Sequence, residues 1–329
     1  MRPRFFGTVK HCAAVRKSSK WIELFHFKIK SSTCQVFSYL PQTELQDVQV
    51  HQQLERKNRL KEKCSTMPAA EVDQSKPNTT TPVIFKVDDR HRVMYCGVPK
   101  VATTNLKGLM LILSGTVETD NLSSIPRLSV HELNPMRMVY ANDLNDTIVN
   151  GVGDYTKFIF VRHPLERLVS AYQDKLTRNN TTYHKNVGRQ IVQKYRKQPS
   201  PLSLQMGHDV TSPEFVTFII DEWREAKRPL DVHWRPVVDL CLPCVMRFDF
   251  IGKFETLNRD VEFLLRKLKE SDLSRLFATQ PKAKTTPTLW KEFMNRISYQ
   301  QLSDLNRMFA EDFRLFGYPH YYVGKQPIE

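Results

Sequence analysis

Glycine is scarce in this sequence, 11 residues in 329. None of them builds the G-x-x-x-x-G-K-[ST] loop of ATP-binding kinases: at Lys100 the lysine comes first, and Gly97 is the only glycine close before it. A kinase-type phosphate loop is therefore disfavoured. Long apolar runs are also missing: nothing approaches the ~20 residues of a membrane-spanning helix, and the most apolar stretch is Gly108–Val117. At the N-terminus, Lys10 and His11 interrupt any apolar segment of a signal peptide within Met1–Val15. Six cysteines in a chain of this size do not define a disulfide scaffold. No dense cluster of His, Cys and Asp suggests a metal, so none is expected. Internal repeats are absent.

What is there belongs to a globular protein with a strong affinity for anions. The hydrophobic content of 40% fits a folded core, and the net charge of +14 draws in nucleic acid, anionic lipid, acidic polysaccharide or a phosphorylated cofactor. The excess is concentrated over Arg162–Lys197, where nine Lys or Arg face only Glu166 and Asp174. That marks an anion-binding face or, less specifically, a solvated basic helix. Asn-X-Ser/Thr sequons at Asn78, Asn121, Asn145, Asn179 and Asn180 favour a secretory lumen.

Residues 1–81 mix charge runs with the breaker-rich Lys76–Pro82 and read as a poorly ordered stem or linker, with a short helix near Leu45–Lys63. Over residues 82–329 short β-rich runs alternate with helical ones, the pattern of a three-layer α/β domain around a mostly parallel sheet. Arg92–Val98 predicts a strand followed by a helix with Leu106, Leu109, Met110 and Leu113 on one face. Lys157–Val161 predicts a second, deeply buried strand, then a helix through Leu165, Leu168, Val169, Tyr172 and Leu176. A third pair is Phe248–Phe254 with a helix over about 257–269, and Ser298 with Gln301 forms a capping box for the last helix.

A turn that leaves a buried strand and opens a helix presents backbone N–H groups at the positive end of the helix dipole. In Pro99-Lys100-Val101-Ala102-Thr103-Thr104-Asn105, the lysine adds a charge and the hydroxyl and amide side chains add donors, so the loop suits a phosphate. Arg162 ends the second strand at the edge where ligands bind in open α/β sheets, and Ser170 lies on the helix that follows. A guanidinium fork with a hydroxyl grips a phosphate. The competing readings are a solvated Lys100, an Arg162–Glu166 ion pair and an ordinary surface Ser170. Two such sites in one sheet imply a ligand with two separated phosphates.

These residues carry a resemblance. Pro99–Asn105 is similar to the 5′-phosphosulfate loop, and Val161–Tyr172 to the 3′-phosphate motif, of the Golgi carbohydrate sulfotransferases. The nearest group contains the chondroitin and dermatan 4-O-sulfotransferases and the glucuronyl 3-O-sulfotransferase of the HNK epitope. His233-Trp234, Cys241-Leu-Pro-Cys244, Phe248–Glu255 and Asp312–Tyr318 are further marks of the group, and the resemblance runs from Val83 to Tyr318. It implies a P-loop-like sulfotransferase fold and 3′-phosphoadenosine 5′-phosphosulfate as sulfuryl donor. The acceptor it implies is an acidic glycan, foremost the 4-hydroxyl of N-acetylgalactosamine, with the 3-hydroxyl of terminal glucuronic acid as the alternative. It also implies Golgi residence.

In that scheme Lys100 holds the bridging oxygen and 5′-phosphate, Pro99–Asn105 cradle them, and Arg162 and Ser170 fix the 3′-phosphate. Sulfuryl transfer to an alcohol also needs a base, for which His233 is the candidate. A packed structural role for His233 competes, as do Glu255, Asp249 and His131 as bases. The cysteines are expected in structural disulfides of open pairing. The basic Lys175–Lys197 fits a polyanionic glycan beside the donor, or else a solvated, glycosylated insertion. A non-catalytic module binding heparin-like chains or nucleic acid is the rival reading from another class; an intact two-phosphate pattern argues against it, and nucleic acid is not the expected partner. The sequence departs from the group in Arg162-His163-Pro164, where Arg-Asp-Pro is usual, and in showing no membrane anchor.

Overall fold

The computed structural model describes residues 42–67, 84–131, 136–140, 153–227, 229–278 and 287–321. The chain divides into two compact units, 1–45 and 46–329, and the contacts described below are all made within the second. The sequons at Asn78 and Asn145 lie outside the described residues, whereas Asn121, Asn179 and Asn180 lie within them.

Five strands form one sheet in the order β3-β1-β2-β4-β5: β1 (Ile84–Asp88), β2 (Val93–Cys96), β3 (Arg137–Tyr140), β4 (Thr156–Val161) and β5 (Phe250–Lys253). Only β1 runs against the rest; β2, β4 and β5 pair in parallel. β4 buries its last four residues in a row, as a strand covered on both faces must. Its neighbour β5 comes close because residue 252 is glycine: a Cβ there would run into the Phe160 ring. The mostly parallel sheet expected from the sequence is therefore present, with the antiparallel β1 added.

Helices flank the sheet. Helix α2 (Thr103–Leu113) buries Leu106, Leu109, Met110 and Leu113, the predicted face. Helix α3 (Pro164–Tyr172) starts with Pro164 in its first turn and Glu166 near its positive end. Beyond Tyr172 the winding loosens into a π turn, Gln173–Thr177. Helix α4 (Ser212–Glu225) carries a capping box from Thr211 and Glu214. Helix α5 (Leu257–Lys267) follows β5, and α6 (Tyr299–Met308) has the predicted Ser298–Gln301 box. Helix α7 (Ala310–Phe316) ends at Gly317, whose φ of 63° suits a residue without Cβ.

The N-terminal segment does more than the sequence promised. A 24-residue helix, α1 (Gln42–Ser65), runs where the stem was placed; Gln49 donates to the Arg259 carbonyl of α5, and from Gln53 onward its side chains reach the sheet. Gln53 is buried and copies a neighbouring strand: its Nε2 donates to the Ile251 carbonyl and its Oε1 accepts from the Ile251 N–H, both at 3.1 Å. Arg56 adds a bond to the same carbonyl at 2.7 Å and an ion pair to buried Asp260 at 2.8 Å. β5 is an edge strand, and these contacts satisfy groups that would otherwise be free to pair with another chain. The disulfide Cys64–Cys244 ties the end of α1 to the body, and Cys96–Cys241 joins β2 to the segment after His233. The two cysteines of Cys241-X-X-Cys244 thus pair with distant partners instead of each other.

Candidate active site

The loop after β2 turns on two left-handed residues, neither of them glycine: Lys100 (φ 72°) and Ala102 (φ 62°). Such conformations cost about 1–2 kcal/mol each for a residue with a Cβ, so the surroundings must hold them. Val98 and Val101 anchor the loop by complete burial, and the buried Thr103 hydroxyl donates to the Val98 carbonyl. A loop with left-handed residues at such positions can present its backbone N–H groups to an oxyanion. It runs directly into the first turn of α2, which no side chain caps.

A cavity of about 400 Å³ opens over this loop. Pro99, Lys100, Ala102, Thr103, Thr104 and Asn105 line one wall, and Ser170 and His233 another. Sequence-distant candidates therefore converge. Two candidates lie beneath the surface instead. Val101 is core. Arg162, with its side chain 1% exposed, pairs with Glu166 at 3.1 Å, donates to the Lys100 carbonyl at 3.4 Å and stacks 4.3 Å over Phe254. The ion pair weighed as an alternative forms, and the same arginine also braces the lysine's backbone.

Electrostatics in the cavity are uneven. Lys107, Arg127 and Lys175 join Lys100 in the lining, and Asp174 is the one carboxylate among the lining residues. Asp174 Oδ2 lies 3.0 Å from Lys100 Nζ and 3.4 Å from Lys175 Nζ. Burial lowers the pKa of Lys100, a shift that Asp174 opposes. Burial alone would raise Asp174, but the two lysines hold it below the usual carboxylate range. His131 accepts or donates at 3.0 Å with Thr104; burial, then Lys107 and Arg127, pushes its pKa down to about 4.

His233 is set up differently. Its Nδ1 lies 2.7 Å from Asp231 Oδ1 and 2.9 Å from the Tyr183 hydroxyl, which itself donates to Asp231 Oδ2 at 2.8 Å. An ionised Asp231 only accepts, so Nδ1 carries the proton and Nε2 is the basic nitrogen. Burial lowers the His233 pKa, and Asp231 partly restores it. Two rival bases are engaged elsewhere. Glu255 accepts from the His163 N–H and the Tyr318 hydroxyl, and Asp249 accepts from the Lys157 N–H; neither lines the cavity. The His163 ring packs edge-on among Trp290, Phe313 and Tyr318.

Residues 84–319 match the model of the sulfotransferase family. The chain belongs to that family. Carbohydrate sulfotransferase 11 of Rattus norvegicus is 36% identical over 238 residues, 71% of this chain and 67% of the relative. Carbohydrate sulfotransferase 8 of Mus musculus is 35% identical over 275 residues, 82% of this chain and 64% of the relative. Carbohydrate sulfotransferase 12 of Xenopus laevis is 34% identical over 253 residues, covering 71% and 59%. No solved structure matches the chain. This sulfotransferase therefore uses 3′-phosphoadenosine 5′-phosphosulfate to sulfate a sugar.

Several lining residues of the sulfotransferase escaped the sequence reading. Lys107 lies one helical turn beyond Thr103 and Thr104, and Asp174 one turn beyond Ser170, so helical spacing alone places each on the face of a predicted site residue. Arg127 and Phe277 reach the cavity from separate segments, and no local pattern announces them.

Proposed function

We propose that this enzyme transfers the donor's sulfuryl group to the 4-hydroxyl of N-acetylgalactosamine in chondroitin- or dermatan-type chains, in the Golgi lumen. The observation that carries the reading is the convergence of Lys100, Ser170 and His233 on one cavity. The residues fit the donor: the uncapped N–H groups at the start of α2 and a lysine for the 5′-phosphosulfate, and Ser170 for the 3′-phosphate, with the buried Arg162 bracing the Lys100 carbonyl. Lys100 neutralises charge that develops on the 5′-phosphate oxygen as its bond to sulfur breaks. His233 Nε2 takes the proton of the sugar hydroxyl as that oxygen bonds to sulfur, while Asp231 steadies the imidazolium. Positioning and charge stabilisation supply most of the catalysis, as in phosphoryl transfer. The acceptor assignment rests on the family resemblance of the motifs and on the cationic lining.

The test is to incubate the protein with radiolabelled donor and a panel of desulfated chondroitin, dermatan and glucuronate-terminated glycans. Label on the 4-hydroxyl of N-acetylgalactosamine is expected. Label on the 3-hydroxyl of terminal glucuronate moves the acceptor assignment. No label on any glycan, with Lys100→Ala indistinguishable from wild type, overturns the reading. A protein that binds polyanions with steep salt dependence, and does not bind phosphoadenosine phosphate, is a binding module instead.

A further inference from the structure

A second cavity, of about 300 Å³, is lined by Arg178, Lys185, Arg189, His184 and His208, and no carboxylate is among its lining residues. Among the described residues neither Arg178 nor Lys185 has an acidic partner, although acids are paired with many other basic side chains of the chain. His184 is nine-tenths buried, its ring 6.5 Å from that of His208, and its Nε2 has no hydrogen-bond partner in the protein. Arg189 is held by a bond from its Nε to the Gln205 carbonyl at 2.5 Å. Unneutralised cations around the mouth of a pocket are the chemistry of an anion site.

Its position relative to the active site gives the anion an identity. One element borders both cavities: Asp174 and Lys175 of the π turn line the first, while Thr177, at its end, and Arg178 line the second. Arg178 is near enough to Lys100 for its charge to act on the lysine. A linear chain with its reacting hydroxyl at His233 has a short path over this turn into the second cavity. The donor's phosphates already have a loop of their own, so the anion is carried by the acceptor.

We infer that the Arg178–Lys185–Arg189 cavity is an acceptor subsite that grips a carboxylate or sulfate ester on a sugar removed from the one being sulfated. The inference rests on the acidic-glycan reading given above. It makes the enzyme sensitive to acceptor length, because a second fixed contact raises the effective concentration of the reacting sugar at the first. Asn179 also lines the cavity and belongs to a sequon. An N-linked glycan there and an acceptor chain exclude one another.

The experiment compares polymeric chondroitin with the corresponding tetrasaccharide on the full chain, wild type against Arg178→Ala/Lys185→Ala, two exposed side chains. For the polymer KM rises about fivefold, the order of two exposed ion contacts, and its salt dependence becomes shallower. For the tetrasaccharide KM stays unchanged, and the affinity for phosphoadenosine phosphate, read on Lys185→Ala, is that of wild type. Lys185→Ala alone, which is not among the charges acting on Lys100, gives a smaller rise confined to the polymer. Equal changes for both acceptor lengths, or none for the polymer, overturn the subsite. Enzymatic removal of N-glycans that lowers the polymer KM supports it. A wild type that sulfates no acidic glycan at all defeats the underlying acceptor reading, a result distinct from active enzyme with an unaffected polymer KM.

Discussion

Lys100 Nζ stands 3.0 Å from Asp174 Oδ2, a pair formed across the cavity between the loop after β2 and the π turn after α3. A carboxylate here occupies charge space that an anionic donor also seeks. Both side chains are largely enclosed, so the pair is screened less than a surface pair.

Asp174→Asn is accordingly expected to tighten binding of phosphoadenosine phosphate by up to about tenfold at low salt, since a like charge some angstroms from the phosphates is removed. The same variant lowers kcat, because Lys100 loses the partner that positions it. Calorimetry and steady-state kinetics separate the two effects. Weaker nucleotide binding would show that Asp174 supports the site in place of competing for it.

The Asp231–His233 pair makes a pH prediction. His233 must be neutral to accept a proton, and burial sets its pKa below the ordinary histidine value, with Asp231 acting upward. The acid limb of kcat/KM therefore lies below about 6.5. Asp231→Asn removes the upward influence and moves that limb to still lower pH. It also frees the imidazole to adopt the wrong tautomer, at a cost of about 10²- to 10⁴-fold if His233 is the base. An unshifted limb in Asp231→Asn would falsify the assignment.

Much of this was legible from the residues. Apolar spacing located β2, β4, β5 and the inner faces of α2 and α3, because strong period and burial coincide there. The loop that lines the cavity was legible without glycine because its small polar residues and lysine sit between two apolar runs. Helix α1 was only partly legible. Its docking face includes Gln49, which bonds to α5, and Gln53 and Arg56, which satisfy the edge of β5, polar side chains that leave little apolar stripe to read. Arg162 was assigned to ligand contact by residue type, yet its position under the loop depends on Glu166 and Phe254 closing around it. That arrangement is tertiary. Cysteine pairing was equally out of reach, since Cys64–Cys244 spans 180 residues.

The docking of α1 carries a stability prediction. Gln53→Ala leaves the Ile251 N–H without its partner at a buried edge and is expected to cost about 1–3 kcal/mol. A chain begun at residue 82 also loses the Cys64–Cys244 bridge, for which about 2–5 kcal/mol is usual. Thermal melts and light scattering check both, with aggregation expected through the uncovered β5. A chain from 82 that melts with the full-length protein would place α1 outside the stable body.

Gly252→Ala puts a methyl group into the Phe160 ring, and overpacking of this kind costs about 1–3 kcal/mol. Phe160→Leu in the same chain should recover part of the loss, as measured by denaturant midpoint. Equal midpoints for the single and double variants would argue against this contact as the cause.

The central claim is that one cavity holds both phosphates of the donor, with Lys100 at the reacting end. Calorimetric titration of phosphoadenosine phosphate into wild type, Lys100→Ala and Arg162→Ala tests it most directly. Saturable binding at one site is expected, weakened about tenfold or more by Lys100→Ala, the order of a charge-assisted contact, and weakened by Arg162→Ala through loss of its brace on the Lys100 carbonyl. No saturable binding by wild type, or equal affinity in all three proteins, contradicts it.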